Sequence, residues 1–228
     1  MYKYETHLHT SPVSKCAKAD IYETVDFYKK MNYDGIFVTN HFIDGNINLT
    51  GDLSYEEKLE FYFSDYEKGA EYGKTVGLKV FCGVELSYGG TDFLVYGLDK
   101  EWFLKNPQIT DMKKSEQLTF FIENGALVVQ AHPYREAQYI DHIRLFPRCV
   151  HGAEVINASG SDFENNMAKM YAQSYGLIEF AGSDNHIADK QKILAGMCSE
   201  MPIENEQDFV LRVKNGEMSV FIVRAENV

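Results

Sequence analysis

Residues 126–135 read ALVVQAHPYR. From Ala126 to Ala131 the run is apolar at both odd and even positions, with Gln130 the one polar residue, so a strand made from it has no solvent face. That pattern fits a central strand of a parallel sheet covered by helices on both sides. His132 follows at once, and Pro133 after it can neither donate to a ladder nor continue the strand. An imidazole therefore stands at the C-terminal end of a buried strand.

Working outward, the same pattern recurs. Gly35–Thr39 contains IFV and leads to Asn40 and His41, and Lys79–Val84 reads KVFCGV and leads to Glu85. The other candidate strands are Tyr2–Leu8, Phe93–Tyr96, Ala153–Ile156, Ile178–Ala181 and one near Val220–Val223. Amphipathic stretches between them predict helices over Ile21–Met31, Tyr55–Thr75, Met112–Glu123, Phe163–Tyr175 and Glu206–Lys214. Ser54 stands three residues before Glu57 as a capping box, and Gly77, Gly125 and Gly176 sit where helices stop. Between Tyr55 and Gly73 the aromatic-rich sequence has Leu59, Phe63, Tyr66 and Ala70 at helical spacing, which marks core packing rather than a base-stacking platform. No repeat, low-complexity tract or linker divides the chain, so residues 1–228 are expected to form a single α/β domain.

Composition narrows the function classes. The 228 residues are 45% hydrophobic and 25% charged, the profile of a globular chain. Lys plus Arg number 22 against 34 Asp plus Glu, a formal charge of -12. That charge repels a phosphate backbone, making a nucleic-acid polymer an unlikely partner, and leaves room for bound cations. Cys16, Cys82, Cys149 and Cys198 are scattered with no CxxC pair and no secretory leader, so a reducing cytoplasm is expected rather than a disulfide framework. No apolar run approaches the roughly 20 residues of a membrane span. Neither GxSxG, GxGxxG nor a P-loop appears, so serine-hydrolase, dinucleotide and kinase chemistries have no anchor.

What remains is the set of polar residues at strand ends. His7 and His9, at i and i+2, point to one face of the first strand. His41, Glu85 and His132 follow three others, Asp92 starts the fourth, Glu154 and Asn157 lie on the sixth, and Asp184 and His186 follow the seventh. In a closed parallel barrel these ends converge on one face. Imidazoles and carboxylates, with no thiolate at these positions, form the donor set of Zn²⁺, Mn²⁺ or Fe²⁺ in an open, catalytic-type site. His142 and His151 fall outside the pattern and read as surface or structural histidines.

These motifs resemble the PHP domain (polymerase and histidinol phosphatase) family. The residues that carry the resemblance are THLHT at Thr6–Thr10, TNH at Thr39–His41, GVE at Gly83–Glu85, AHPYR at Ala131–Arg135 and GSDNH at Gly182–His186. They span the chain from Tyr2 to about Ile187. The resemblance implies a distorted (β/α)7 TIM-like barrel holding two or three divalent ions. The first ion would take His7, His9, Glu85 and Asp184, with Glu85 bridging to a second that His132 also holds. A third would take His41 and His186.

Three departures from the family pattern bear on those ligands. Where many members carry another histidine or acid after HxH, this chain has Ser11 to Cys16, so the third ion would be weakly held, absent, or completed by water, Asp20 or Cys16. Asp92 stands where a second-metal histidine is common. Asn40 replaces an aspartate, which puts the support of His41 in question.

Arg135 is placed to fork a phosphate oxygen from the rim, and Arg135 and His186 are the candidate catalytic side chains. The expected reaction is hydrolysis of a phosphoester in a small phosphorylated metabolite or nucleotide by a metal-bound hydroxide, since paired ions lower the pKa of bound water to about 7. A nuclease or nucleotide phosphodiesterase, a non-catalytic metal-binding regulatory module and histidinol phosphatase proper are the alternatives. The Gly- and Asn-rich segment Phe42–Asp52 is either a loop over the site or an ordinary connection.

Overall fold

The computed structural model describes residues 1–224. Its strands are β1 (Tyr2–Glu5), β2 (Gly35–Val38), β3 (Lys79–Tyr88), β4 (Thr91–Tyr96), β5 (Leu127–Ala131), β6 (Gly152–Asn157), β7 (Ile178–Gly182), β8 (Ile193–Ser199) and β9 (Met218–Arg224). Its α-helices are α1 (Ile21–Lys30), α2 (Tyr55–Val76), α3 (Lys100–Lys105), α4 (Lys114–Glu123), α5 (Asp162–Tyr175) and α6 (Glu206–Lys214). Local chemistry sets many of these boundaries. Capping boxes start α1 at Asp20 with Glu23, α2 at Ser54 with Glu57, and α5 at Ser161 with Glu164. Gly77 and Gly176 end α2 and α5 in the left-handed conformation.

All the strands join one sheet in the order β7-β6-β5-β4-β3-β2-β1-β8-β9. The expectation of a parallel sheet needs correction. Only β1/β2, β2/β3, β5/β6 and β6/β7 run parallel, and β4 is antiparallel to both neighbours. The reversal is a hairpin in which Tyr88 pairs with Thr91 across Gly89 and Gly90. Both glycines have positive φ, 56° and 86°, which a two-residue hairpin turn requires. The consequence is functional: the start of β4 lies at the same rim as the ends of β3 and β5, with Asp92 opposite Ala131.

The sheet curls into a nearly closed barrel. Past β1 the chain runs on to meet the continuation of β7, where Leu8 bridges Asn185 and His9 N donates to Asn185 O at 2.8 Å. Thr6 Oγ1 also bonds Ala181 O. The buried carboxyl of Glu5 ties the seam, its Oε1 accepting from Thr6 N (3.0 Å), His7 N (2.9 Å) and Ser183 N (2.9 Å).

β8, not foreseen from sequence, pairs antiparallel with β1 and touches β7 through Ala195 N and Ser183 Oγ, 2.9 Å apart. At the far mouth α6 acts as a plug. Phe209 packs its ring 4.3 Å from Phe37 and 5.3 Å from Tyr96, and Lys79 Nζ reaches Ile203 O just ahead of the helix. Leu59 and Phe63 of α2 are buried against the outside of the sheet, as their spacing predicts. Among the described residues no helix is long and apolar enough to cross a membrane.

Candidate metal centre

The open mouth of the barrel collects the polar strand ends. His7 and His9 bring their Nε2 atoms to 3.3 Å. Glu85, in the last half of β3, puts Oε1 at 3.0 Å from His7 Nε2, with Oε2 at 3.4 Å from His9 Nε2 and 2.6 Å from His41 Nδ1. From the other side of the seam Asp184 Oδ1 lies 3.5 Å from His7 Nε2 and 3.3 Å from His9 Nε2. His132 Nε2 is 3.5 Å from Glu85 Oε1 and 3.8 Å from Asp92 Oδ2. All seven candidate ligands other than Asp92 have an atom in one of three groups within 4.8 Å: His7, Glu85 and His132; His7, His9 and Asp184; His9, His41 and His186. Asp92 stands at the edge, reaching the cluster through His132.

The donors fit a cluster of cations. His41 Nδ1, Glu85 Oε2 and His132 Nε2 are buried with no hydrogen-bond partner. The first two are only 2.6 Å apart, yet their angles do not make a hydrogen bond. Unpartnered buried donors and acceptors are costly in an ordinary core, and lone pairs aimed at one point are what a metal site needs. Charge balance agrees, because Glu85, Asp92, Glu154 and Asp184 are all buried, with the Arg135 guanidinium beside them, 3.5 Å from Asp184 Oδ2.

Burial alone would push the His7 imidazole down, but Glu154, Asp184 and Glu85 hold it well above its usual value. Burial would push the carboxyls of Glu85 and Asp184 up, and the surrounding imidazoles hold both well below. His9 goes the other way, kept well below by burial and by the neighbouring His186 and His41. These groups compete for protons as they would compete for a dication.

Several residues position the ligands. Glu154 of β6, fully buried, belongs to the strand-end set read from the sequence, where it has no assigned role; the structure makes it a support of the ligands. Its Oε1 lies 3.0 Å from His7 Nδ1, while Oε2 accepts from His132 N at 3.0 Å and Asn157 Nδ2 at 2.8 Å. A carboxylate only accepts, so Nδ1 carries the proton and Nε2 turns its lone pair to the cluster. Asp184 has φ 52° and His132 φ 22°, backbone strain of the kind that persists at functional sites when surroundings fix it.

Asn40 does not bond the His41 ring. Its Oδ1 accepts from Thr10 N (2.7 Å) and Ser14 Oγ (2.8 Å), and its Nδ2 donates to Thr10 Oγ1, which donates to the buried Asp65. Support of His41 comes instead through Ser14 Oγ, which accepts from His41 N at 3.1 Å.

Of the two side chains weighed for the third site, Asp20 is occupied elsewhere, capping α1. Burial pushes the Cys16 thiol up, and the influence of His186 and His41 brings it down to about 6. The segment Phe42–Asp52 is anchored at Phe42 and Ile47, while Thr50, Gly51 and Asp52 are exposed. Ile47 bridges Ser14, Asn46 O accepts from Lys15 N, and Phe42 is buried. His142 is exposed beside Asp141, and His151 accepts from Val128 N, both away from the cluster. Beside the metal centre a cavity of about 250 Å³ is lined by His132, Arg135, Asn157, Ser159, Glu164 and Asp184.

No family model matches the chain, and no curated protein matches it. Solved structures do. A two-domain protein from Bacteroides vulgatus, described as containing a predicted PHP-like metal-dependent phosphoesterase, aligns over 96% of this chain with a TM-score of 0.66 and 14% identity. This chain spans 64% of that one's length. A protein from Bifidobacterium adolescentis described as a metal-dependent phosphoesterase aligns over 81% of this chain and 88% of its own, at TM-score 0.52 and 12% identity.

Two of the structural neighbours are thus described as metal-dependent phosphoesterases, the first of them as PHP-like. An amidohydrolase from Chromobacterium violaceum, with bound sulfate and no metal, has a similar fold, with TM-score 0.57 and 13% identity over 99% of both chains. At such identities the likeness carries the barrel fold alone, and the chemistry follows from the residues.

Proposed function

We propose that the protein is a metal-dependent phosphoesterase acting on a small phosphorylated molecule. The observation that supports this most directly is the set of unpartnered buried atoms, His41 Nδ1, Glu85 Oε2 and His132 Nε2, beside a cavity rimmed by a guanidinium. His7, His9, Glu85 and Asp184 would hold one ion, Glu85 and His132 with Asp92 a second, and His41 and His186 a third. Divalent ions bound there polarise a phosphoryl oxygen and make water a competent nucleophile at neutral pH.

The chain's own groups do the rest. Arg135, 38% exposed on its side chain, offers a planar fork to phosphate oxygens at the cavity rim. Glu154 holds the His7 tautomer and the His132 backbone. His186 has Nδ1 tied to Asp184 O at 2.8 Å, which leaves Nε2 free to coordinate and favours a ligand's role over that of a proton carrier. A cavity of about 250 Å³ admits a phosphoryl group with a modest leaving group. With the chain's charge of -12, that argues for a metabolite or nucleotide over a polymer.

The test is phosphate release from a panel of small phosphomonoesters by protein stripped with a chelator and reloaded with Mn²⁺ or Zn²⁺. Activity lost on stripping and restored on reloading is expected. A fully metallated protein inert on the whole panel would reject the reading, and shortening of an oligonucleotide without release from mononucleotides would replace it with a nuclease.

A further inference from the structure

We propose that Ser14 and Asn40 are positioning residues for His9, links in a one-way chain of hydrogen bonds that starts at Asp65 and turns the bare Nε2 of that ring to the metal cluster. The inference rests on the metal centre described above and supplies the reason why one of its central ligands faces inward as a lone pair.

The chain starts on α2. Asp65 is 1% exposed, and its carboxylate can only accept. Lys68 Nζ, 4.0 Å from Oδ1, favours the ionised form. Thr10 Oγ1 donates to Asp65 Oδ2 at 2.9 Å and so has no proton left, which makes it the acceptor for Asn40 Nδ2, also at 2.9 Å. The other end of the same amide agrees, because Thr10 N, which can only donate, lies 2.7 Å from Asn40 Oδ1. Two independent neighbours thus fix which way the amide points.

Ser14 carries the direction inward. Its hydroxyl lies 2.8 Å from Asn40 Oδ1, an atom with nothing to donate, so Ser14 Oγ gives its single proton there. What it has left are lone pairs. One accepts from His41 N at 3.1 Å, and the other faces His9 Nδ1 at 3.3 Å. Nδ1 is therefore the donor, and a neutral imidazole carries only one ring proton. Burial, with His186 and His41 nearby, keeps this ring neutral. Its Nε2 is left bare, 3.3 Å from Asp184 Oδ1 and 3.4 Å from Glu85 Oε2. Three acceptors meet without a proton of their own, an arrangement that a dication relieves. The same chain explains why residue 40 is an amide. An aspartate there would set a second carboxylate against Thr10 Oγ1, whose only proton Asp65 already takes.

Nitrogen-15 NMR of histidine-labelled, metal-stripped protein reads the tautomer, with His9 assigned by the signals missing in His9→Gln. A single Nδ1–H tautomer is expected. Ser14→Ala is expected to lose it and to weaken one equivalent of Zn²⁺ by about 10–100-fold. If Ser14→Ala fails to fold, a swap decides. Asn40→Asp is expected to lower the midpoint of thermal unfolding, and adding Asp65→Asn to recover it, since Thr10 can then donate to residue 40 and accept from residue 65. A His9 proton on Nε2, a tautomer or a Zn²⁺ affinity that survives Ser14→Ala, or a swap that recovers nothing overturns the inference and leaves the metal centre standing. The Nδ1–H tautomer in a protein that binds no Zn²⁺ overturns the metal centre and, with it, the role of the chain.

Discussion

Glu154 Oε1 and His7 Nδ1 lie 3.0 Å apart inside the barrel, with neither side chain exposed to solvent. This pair fixes which face of the His7 ring meets the cluster, and the other oxygen of the same carboxylate holds the backbone of His132 at 3.0 Å. One side chain therefore aims two ligands carried by strands on different sides of the barrel.

Glu154→Gln should lower metal affinity by about 10–100-fold, the usual cost of losing a carboxylate behind a ligating imidazole. Competition with a chromophoric chelator measures it. Unchanged affinity would show that packing alone sets the His7 ring.

Gly182 sits where the seam closes. A Cβ there would collide with His7 Cβ and fall 2.7 Å from Glu154 Oε1 and 3.2 Å from His7 N. Gly182→Ala is expected to cost about 1–3 kcal/mol as overpacking and to weaken metal binding at the same time. Denaturant unfolding followed beside a metal titration would show both losses or disprove the coupling.

Arg135→Ala should raise KM for a phosphomonoester with metal content unchanged, because the guanidinium is partly exposed and touches the cluster only through Asp184. Stability should move by no more than about 0.5 kcal/mol, as for other exposed substitutions. Metal analysis paired with steady-state kinetics is the check.

Adding a divalent ion to stripped protein should raise the midpoint of thermal unfolding, since the ligands gather from both ends of the chain only in the folded state. At a free ion concentration 100 times Kd the gain is about 2.7 kcal/mol for one site. A midpoint that does not respond to Zn²⁺ or Mn²⁺ would contradict the centre.

His151 gives stability a pH dependence away from the metal centre. Its ring is held down to about 4, chiefly by burial and then by Lys214, and Nδ1, accepting from Val128 N at 3.1 Å, also needs the neutral ring. The folded state thus favours the neutral ring, and the stabilisation is complete above about 6.5, the unfolded value. It is lost as pH falls from there through about 4. A shift of that size corresponds to about 3 kcal/mol, and solvent screening of this half-exposed ring reduces it to on the order of 1 kcal/mol. His151→Gln should flatten the stability profile over that window, as unfolding at stepped pH values would show.

Much of this was legible in the sequence because apolar runs that end abruptly in His, Asp or Glu are local features. ALVVQAH, IFVTNH and GSDNH reveal both a strand and the group it delivers. What stayed hidden depends on long-range closure. The antiparallel direction of β4 follows from Gly89 and Gly90 having positive φ together. β8 reads ILAGMCS, where Gly196 weakens the strand pattern, and it becomes a strand because Tyr2 to Tyr4 present an edge to it. Glu154 looks like any strand acid until the barrel wraps around it. The path of the turn from Lys15 to Lys18 is set by bonds from Lys15 N to Asn46 O and from Lys18 N to His186 O, partners far away in sequence.

The seam between Leu8 and Asn185 bears on how the protein is made. Its two edges are made more than 170 residues apart, so a nascent chain displays His7, His9 and Glu85 long before Asp184 and His186 emerge. During that interval the proposed chelator is half built, and correct loading would have to wait until Asp184 and His186 are made.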